Sequence, residues 1–161
     1  MVVIIFGVSG SGKTTIGRLL SSELGWMFYD ADDFHPISNI EKMKQAIPLS
    51  DEDRKPWLER LRELIGTCLA QRVDAVLACS ALKESYRQYL RIDEEVRFVF
   101  LKGEFGLIQE RLRSRHGHFM DPSLLRSQFD ALEEPKEEVI IVDVTSSPSM
   151  IVQMIRSGLG I

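Results

Sequence analysis

The residues from Gly7 to Thr14 have the types and spacing of a phosphate-binding loop. They read Gly-Val-Ser-Gly-Ser-Gly-Lys-Thr and match the pattern G-x-x-x-x-G-K-[ST] at every fixed position. Backbone N–H groups can wrap a polyphosphate only where no side chain blocks the approach, which accounts for the glycines. Lys13 supplies a cation for the β- and γ-phosphates, and the Thr14 hydroxyl can bind Mg²⁺. The predicted nucleotide-binding residues of this segment are Gly7, Val8, Ser9, Gly10, Ser11, Gly12, Lys13, Thr14 and Thr15.

Two aspartates follow the second predicted strand, at the end of the sheet where open α/β folds bind ligands. Asp30 and Asp32 are two residues apart, so in an extended segment they should point to the same side, with Asp33 on the other. Phosphoryl transfer to an alcohol needs a positioned hydroxyl, Mg²⁺ and charge neutralisation. One carboxylate can support a magnesium-bound water while the other accepts the hydroxyl proton. The alternative is a solvated acidic loop.

Two arginines precede a polar, glycine-containing segment at residues 116–121, which we predict to be a mobile loop. Arg111 and Arg115 are four residues apart and are predicted to share one face of a helix over residues 105–115. On that face they can serve a bound nucleotide, and the alternative is a solvated helix face.

Strands alternate with helical patterns along the chain, which predicts a parallel sheet with helices on both faces. Val2–Phe6 is apolar and rich in β-branched residues, as in a strand buried on both faces. Gly25 is predicted to end the first helix, and Pro56 to lie near the first turn of a later one, after a capping segment at residues 50–53. Further strands are predicted at residues 26–29, 75–79, 96–101 and 138–144, and helices at 15–24, 39–46, 56–71, 85–91, 105–115, 122–132 and 148–157.

The composition is that of an ordinary globular protein, and we expect one domain over residues 1–161. The net charge is −4 and no basic block is present, so a nucleic-acid partner is not expected. The apolar run at the N-terminus is too short for a signal peptide or a membrane span, which predicts a cytoplasmic protein. Cys68 and Cys79 lack metal-ligand spacing and are predicted to be reduced core residues. A homodimer is left open.

Several segments together resemble the gluconokinase family. The phosphate-binding loop alone is shared by many ATPases and GTPases, but the combination is more specific, and it runs from Val3 to about Pro135. Where that family often has a glycine this chain has Ala46, and where it often has a charged residue this chain has Ile37. The segments are Asp-Ala-Asp-Asp-Phe-His-Pro at residues 30–36, Pro-Leu-Ser-Asp-Glu-Asp-Arg-Lys-Pro-Trp-Leu at 48–58, Ala-Cys-Ser-Ala-Leu-Lys at 78–83 and Ser-Gln-Phe at 127–129.

The resemblance implies a three-layer P-loop kinase fold, with a five-stranded parallel sheet in the order 2-3-1-4-5 and a lid at about residues 112–123. It implies ATP-dependent phosphorylation of D-gluconate to 6-phospho-D-gluconate, with Mg²⁺, in carbohydrate catabolism. By similarity to related small-metabolite kinases, Asp30 is assigned to magnesium and Asp32 to the general base. Arg111 is expected to stack on adenine and Arg115 to reach the phosphates, so Lys13, Asp32 and Arg115 are the expected catalytic residues.

The substrate that the resemblance implies offers a carboxylate and a row of hydroxyls. Arg54 is the candidate clamp for the carboxylate because its planar guanidinium matches that group, and the alternative is a surface ion pair with neighbouring acids. His35 is a candidate for binding hydroxyls, with a capping or packing role as the alternative. Ser80 and Lys83 follow the third strand, beside the phosphate-binding loop. The further candidate contacts to hydroxyls are His118 and Gln128.

Other functions of the same fold fit the sequence less well. A shikimate kinase usually carries a glycine triplet after the third strand, where this chain has Cys79-Ser80-Ala81. The arginine-bearing loops of a nucleoside monophosphate kinase are absent from the sequence, as is the Asn-Lys-x-Asp guanine motif of a GTPase. An inactive regulator is disfavoured by the intact Lys13, Thr14 and Asp32.

Overall fold

The computed structural model describes residues 1–115, 122–136 and 138–161. Its strands are β1 (Val2–Phe6), β2 (Met27–Asp30), β3 (Ala75–Cys79), β4 (Val96–Lys102) and β5 (Ile140–Asp143). Its helices are α1 (Lys13–Leu24), α2 (Ile37–Lys44), α3 (Asp51–Ala70), α4 (Glu84–Leu90), α5 (Phe105–Arg113), α6 (Pro122–Ala131) and α7 (Pro148–Leu159), and a 3₁₀ turn spans Ala31–Phe34.

The five strands form one parallel sheet in the order β2-β3-β1-β4-β5, which confirms the predicted order. Phe6, the last residue of β1, is in register with Cys79 on β3 and with Phe100 on β4. The carboxyl ends of the central strands therefore lie side by side. The segments that follow them meet at one edge of the sheet, where the phosphate-binding loop begins.

Two apolar layers cover the faces of the sheet, as predicted. Val2, Ile4 and Phe6 pack with α3 and α4, whereas Val3 and Ile5 pack with α1, α5 and α7. Every side chain of β1 is buried, as expected for a central parallel strand. The two cysteines are free thiols buried in these layers, which confirms their predicted place in the core. None of the helices in the described part of the chain is long and apolar enough to cross a membrane.

The segment after β2 differs from the sequence prediction. Residues 31–34 form a 3₁₀ turn, so the prediction of an extended segment with alternating aspartates is wrong. The turn forms because the Asp30 carboxylate accepts a hydrogen bond from the backbone N–H of Asp32, at 3.0 Å. Aspartate side chains commonly bond to the backbone two residues on, which replaces the strand by a turn. Asp30 and Asp32 are thus brought together by a turn and not by strand alternation.

Helix α3 begins at Asp51, five residues earlier than predicted. The predicted capping segment is present, because Ser50 and Asp53 exchange side-chain-to-backbone hydrogen bonds of 3.1 and 2.9 Å. Pro56, however, lies inside the helix and not in its first turn. Proline lacks only its own N–H, so the helix forfeits a single hydrogen bond there, and the capping box stabilises the start.

Helix α5 ends at Arg113, two residues before the predicted end. Ser114 caps it and its hydroxyl bonds back to the Glu110 carbonyl at 3.0 Å. Arg115 therefore follows the helix, and the prediction that Arg111 and Arg115 share one helix face is wrong. The mobile loop predicted at 116–121, half of the predicted lid and His118 lie outside the described residues.

Candidate active site

The phosphate-binding loop joins β1 to α1 and depends on left-handed glycines. Gly10 and Gly12 have φ angles of 81° and 100°, which side chains rarely adopt. A Cβ atom at Gly10 would also approach the Leu112 Cγ atom to 2.8 Å. Gly12 is the N-cap of α1 and offers no side-chain cap, so the N–H groups of the first turn stay open to an anion.

Two further groups of this loop fit a polyphosphate. The Lys13 ammonium donates to the Val8 carbonyl at 2.9 Å, which holds its side chain across the loop. Burial lowers the pKa of Lys13, and the negative charge of Asp32 partly opposes that effect. The Ser11 hydroxyl is buried and has no hydrogen-bond partner among the described residues. A phosphate oxygen would supply the missing partner.

Thr14 and Asp30 present the oxygen atoms that a magnesium ion prefers. The Thr14 hydroxyl donates to Asp30 Oδ2 at 3.1 Å, while Asp30 Oδ1 accepts the Asp32 N–H. Within the described residues no group of three or more acidic, histidine or cysteine side chains could hold a metal. This pair fits Mg²⁺, which commonly takes few protein ligands and completes its shell with water and phosphate oxygens.

Asp32 lies on the 3₁₀ turn beside Asp30 and Lys13. Its surface is accessible to water, yet the surrounding chain raises the pKa of its carboxyl, mainly by desolvation and then by the charge of Asp30. Lys13 acts in the opposite direction, which places its ammonium within electrostatic reach. Asp33 is exposed, and its negative charge also raises the pKa of Asp32. Asp32 thus combines exposure to solvent with the raised basicity of a partly desolvated carboxylate.

A buried wall of side chains supports this turn, and it gives His35 the packing role that the sequence analysis named as the alternative. The Trp57 indole N–H donates to the Ala31 carbonyl at 2.7 Å, and the His35 ring stacks on Trp57 with centroids 4.4 Å apart. The Asn39 amide donates to the Asp53 carbonyl at 2.8 Å, and the same nitrogen lies 3.2 Å from His35 Nδ1. Nδ1 is therefore an acceptor, which places the proton of the neutral ring on Nε2. Burial, and then Arg54, lowers the pKa of His35 to about 4.

Lys83 and Tyr86 bond to Asp51, and Arg54 contacts Tyr86; these four residues are called the Asp51 cluster below. Lys83 Nζ donates to Asp51 Oδ1 at 2.8 Å, and the Tyr86 hydroxyl donates to the same oxygen. Arg54 Nη1 contacts the Tyr86 hydroxyl at 3.4 Å and donates to the Leu49 carbonyl at 2.8 Å. Sequence reasoning found two members of the cluster. Those two are Arg54 and Lys83; Asp51 was predicted only as part of the capping and resemblance segments, and Tyr86 was assigned no role.

Ser80 and Gln128 contact the phosphate-binding loop. The Ser80 carbonyl accepts a hydrogen bond from the Gly7 N–H at 3.3 Å. The Gln128 amide binds Ser9 twice, accepting from its N–H at 2.7 Å and donating to its hydroxyl at 3.0 Å. Gln128 therefore ties helix α6 to the loop, and its amide is engaged there.

An open cleft of about 450 Å³ extends from the loop to α5 and the segment after β5. Both predicted arginines line it, although Arg115 comes from beyond the helix. Arg111 Nη2 donates to the Val144 carbonyl at 2.6 Å, which fixes its guanidinium against the far wall. The size and apolar floor of the cleft suit a nucleoside. The residues around it include Gly10, Gly12, Thr15, Ile16, Leu107, Arg111, Arg115, Val144, Ser146 and Pro148.

Comparisons with known proteins agree with this geometry. A family model described as shikimate kinase matches residues 9–155. A probable gluconokinase from Xenopus tropicalis is 44% identical, covering 97% of this chain and 92% of its own length. The thermosensitive gluconokinase of Escherichia coli K12 is 42% identical, covering 96% of this chain and 85% of its own. The crystal structure of a gluconokinase from Sinorhizobium meliloti 1021 superimposes with a TM-score of 0.88 at 42% identity, covering 98% of this chain and 90% of that one.

Proposed function

Because the chain belongs to the gluconokinase family, within the wider group that the shikimate kinase model covers, we propose that it phosphorylates D-gluconate with ATP. The products are 6-phospho-D-gluconate and ADP. The observation that carries this proposal is the 3₁₀ turn, which brings Asp30 to Thr14 and Asp32 into electrostatic reach of Lys13. In this proposal Thr14 and Asp30 supply the metal-ligand pair, Asp32 the base and Lys13 the phosphate-binding cation.

ATP is proposed to lie along the loop and the cleft beside α5. Its phosphates would take the open N–H groups at the start of α1, with Lys13 at the β- and γ-positions. Arg111 and Arg115 border the nucleoside end of the cleft, where a guanidinium can stack on the base or neutralise phosphate charge. Thr14 and Asp30 would hold Mg²⁺, which, when bound, neutralises charge on the phosphate oxygens.

Asp32 is proposed as the general base. The primary hydroxyl of gluconate is a weak nucleophile and must lose its proton as the new P–O bond forms. The Asp32 carboxylate can orient that hydroxyl and accept the proton, and Lys13 stabilises the charge that develops on the transferred group. The raised pKa of Asp32 makes it a stronger base than an aspartate with the ordinary pKa.

Gluconate is proposed to extend from Asp32 to the Asp51 cluster, past the wall of His35 and Trp57. Arg54 is suited to the carboxylate because only its Nη1 has partners among the described residues, so its other N–H groups are available. Lys83 adds a second cation. His35 would present its Nε2–H to a hydroxyl, whereas its Nδ1 is held by Asn39. Ser80, Gln128 and His118 remain predictions for further contacts.

We propose that the protein works in the cytoplasm, where ATP is available and where thiols stay reduced, which agrees with the two free cysteines. Size-exclusion chromatography with light scattering tests the homodimer that the sequence left open.

A coupled ADP-release assay across gluconate, its epimers, shikimate and nucleoside monophosphates tests the substrate. Gluconate should support the highest kcat/KM, and EDTA should abolish turnover until Mg²⁺ is restored. Asp32→Asn should lower kcat by roughly 10²–10⁴-fold while ATP binding survives. Asp33→Asn is the matched control, because Asp33 is exposed and makes no hydrogen bond within the described residues. If Asp33→Asn is instead the inactive variant, the base is misassigned.

A further inference from the structure

The Asp51 cluster is a carboxylate-binding arrangement that the chain fills with its own carboxylate. An ammonium from Lys83 and a phenol from Tyr86 donate to one Asp51 oxygen. The guanidinium of Arg54 is in contact with the same phenol, 3.4 Å from its oxygen. Carboxylates in proteins are commonly bound by such a set of groups, namely two cations and a neutral hydrogen-bond donor that lie close together.

Asp51 is held loosely within this arrangement. Its side chain is 64% exposed, whereas that of Lys83 is 32% exposed. Both donors reach the same oxygen, Oδ1, and no hydrogen bond to Oδ2 is formed within the described part of the chain. Asp51 is also the first residue of α3, so the helix N-terminus stabilises its charge when the side chain turns to solvent. An exposed pair of this kind is weak and is easily exchanged for another carboxylate.

The electrostatics of the cluster agree with an interaction between charged partners. The hydrogen bond from Lys83 lowers the pKa of Asp51, and the hydrogen bond to Asp51 raises the pKa of Lys83. Desolvation, and then Asp51, raises the pKa of Tyr86, so its phenol stays a donor at neutral pH. Arg54 also lowers the pKa of the buried His35, which places the cluster beside the wall next to the general base.

We infer that Asp51 is an internal competitor for the carboxylate of the substrate. The substrate carboxylate displaces Asp51 from Lys83 and Tyr86 and binds Arg54 as well, while Asp51 turns to solvent at the start of α3. Asp51 is then a specificity-determining residue, because a polyol without a carboxylate has no group that can replace it. This inference rests on the proposed function, which supplies the identity of the anionic substrate.

Asp51→Asn tests the inference by removing the competing charge while keeping an oxygen that can accept a hydrogen bond. The KM for gluconate should fall roughly two- to fivefold, the range expected for losing one exposed ion pair. The KM for ATP should not change. The KM for gluconamide, in which a neutral amide replaces the carboxylate, should also stay as in the wild type. Glu52→Gln is the matched control, because it removes one charge from the same helix turn at a residue with no partner in the described chain.

The direction of the change decides between the alternatives. A higher KM for gluconate in Asp51→Asn would mean that Asp51 orients Lys83 and Tyr86, and the inference would be overturned. An unchanged KM would place the substrate carboxylate elsewhere and would overturn it too. Circular dichroism checks that the Asp51→Asn variant is folded. If it is not, Asp51→Ser is measured in its place, because serine is also suited to the start of a helix. If the wild-type protein shows no gluconate-dependent ADP release, the proposed function itself is wrong, and this outcome is distinct from those above.

Discussion

Trp57→Phe removes one hydrogen bond that holds the catalytic turn in place. The Trp57 side chain is fully buried, and its indole N–H donates to the Ala31 carbonyl at 2.7 Å. Ala31 begins the 3₁₀ turn that carries Asp32. Phenylalanine keeps an aromatic ring against His35 but has no donor. We therefore expect the change to affect both the stability of the protein and the position of the base.

The size of the effect follows from two contributions. Losing a buried hydrogen bond to a backbone carbonyl costs about 1–2 kcal/mol. The smaller ring leaves a cavity in a closely packed core, which costs about 1–2 kcal/mol more. The free energy of unfolding should therefore fall by about 2–4 kcal/mol. Because Ala31 is next to Asp32, we also expect kcat to fall roughly tenfold, since small displacements of a catalytic group lower the rate strongly.

Urea denaturation at constant m-value measures the stability, and the ADP-release assay separates kcat from the KM for ATP. Trp26→Phe is the control, because Trp26 is only partly buried and its indole makes no hydrogen bond within the described residues. That variant should lose less than about 1 kcal/mol and keep its kcat. If both variants lose the same small free energy and both keep full kcat, Trp57 does not hold the turn.

Three further predictions follow from single residues. Lys13→Ala should fold normally but lose on the order of 10²-fold or more in kcat, measured with ADP release, and full activity would eliminate the proposed ATP site. Ala46→Gly should raise the free energy of unfolding by about 0.5–1 kcal/mol, because Ala46 has a φ of 58°; a loss of stability in urea denaturation would contradict this. The pKa of His35 is about 4 in the folded protein against 6.5 when unperturbed, so unfolding takes up a proton as the pH falls through that window. His35 therefore stabilises the fold above pH 6.5, and up to about 3 kcal/mol of that stability is lost toward pH 4. His35→Gln should flatten this part of the pH profile, and an unchanged slope would refute the assignment.

The sheet could be predicted from the sequence because local patterns determine it. The apolar run Val2–Phe6 and the glycine motif after it set the first strand, the loop and the start of α1 without help from distant residues. The order 2-3-1-4-5 came from the resemblance, since nothing in strand periodicity fixes which strands are neighbours. The buried cysteines were also predictable from their apolar surroundings.

The turn after β2 could not be predicted by alternation because side chains override the strand there. The Asp30 carboxylate accepts a hydrogen bond from the Asp32 N–H. Trp57, which is distant along the chain, donates one to the Ala31 carbonyl. The Asp30 contact is a local turn that the assumption of strand alternation overlooked, whereas the Trp57 contact depends on how α3 packs and leaves no local signal. The interaction of Asp51 with Tyr86 is of the same kind, since it joins two helices that are separated by β3. Sequence therefore identified Arg54 and Lys83 but not the Asp51 carboxylate that Lys83 and Tyr86 bind.

Helix α3 links the two ends of the proposed substrate site. Asp51 and Arg54 lie in its first turns, at the carboxylate end, whereas Trp57 and Arg60 bond to carbonyls of the turn that carries Asp32. From Asp51 to Trp57 the helix rises about 9 Å, a span similar to that of an extended six-carbon chain. Helix α3 therefore sets the position of Arg54 relative to the turn that carries the proposed base, whereas Lys83 and Tyr86 are positioned by the start of α4. Because Arg54 and Trp57 lie on one rigid helix, we expect their spacing to contribute to the selection of acids by length.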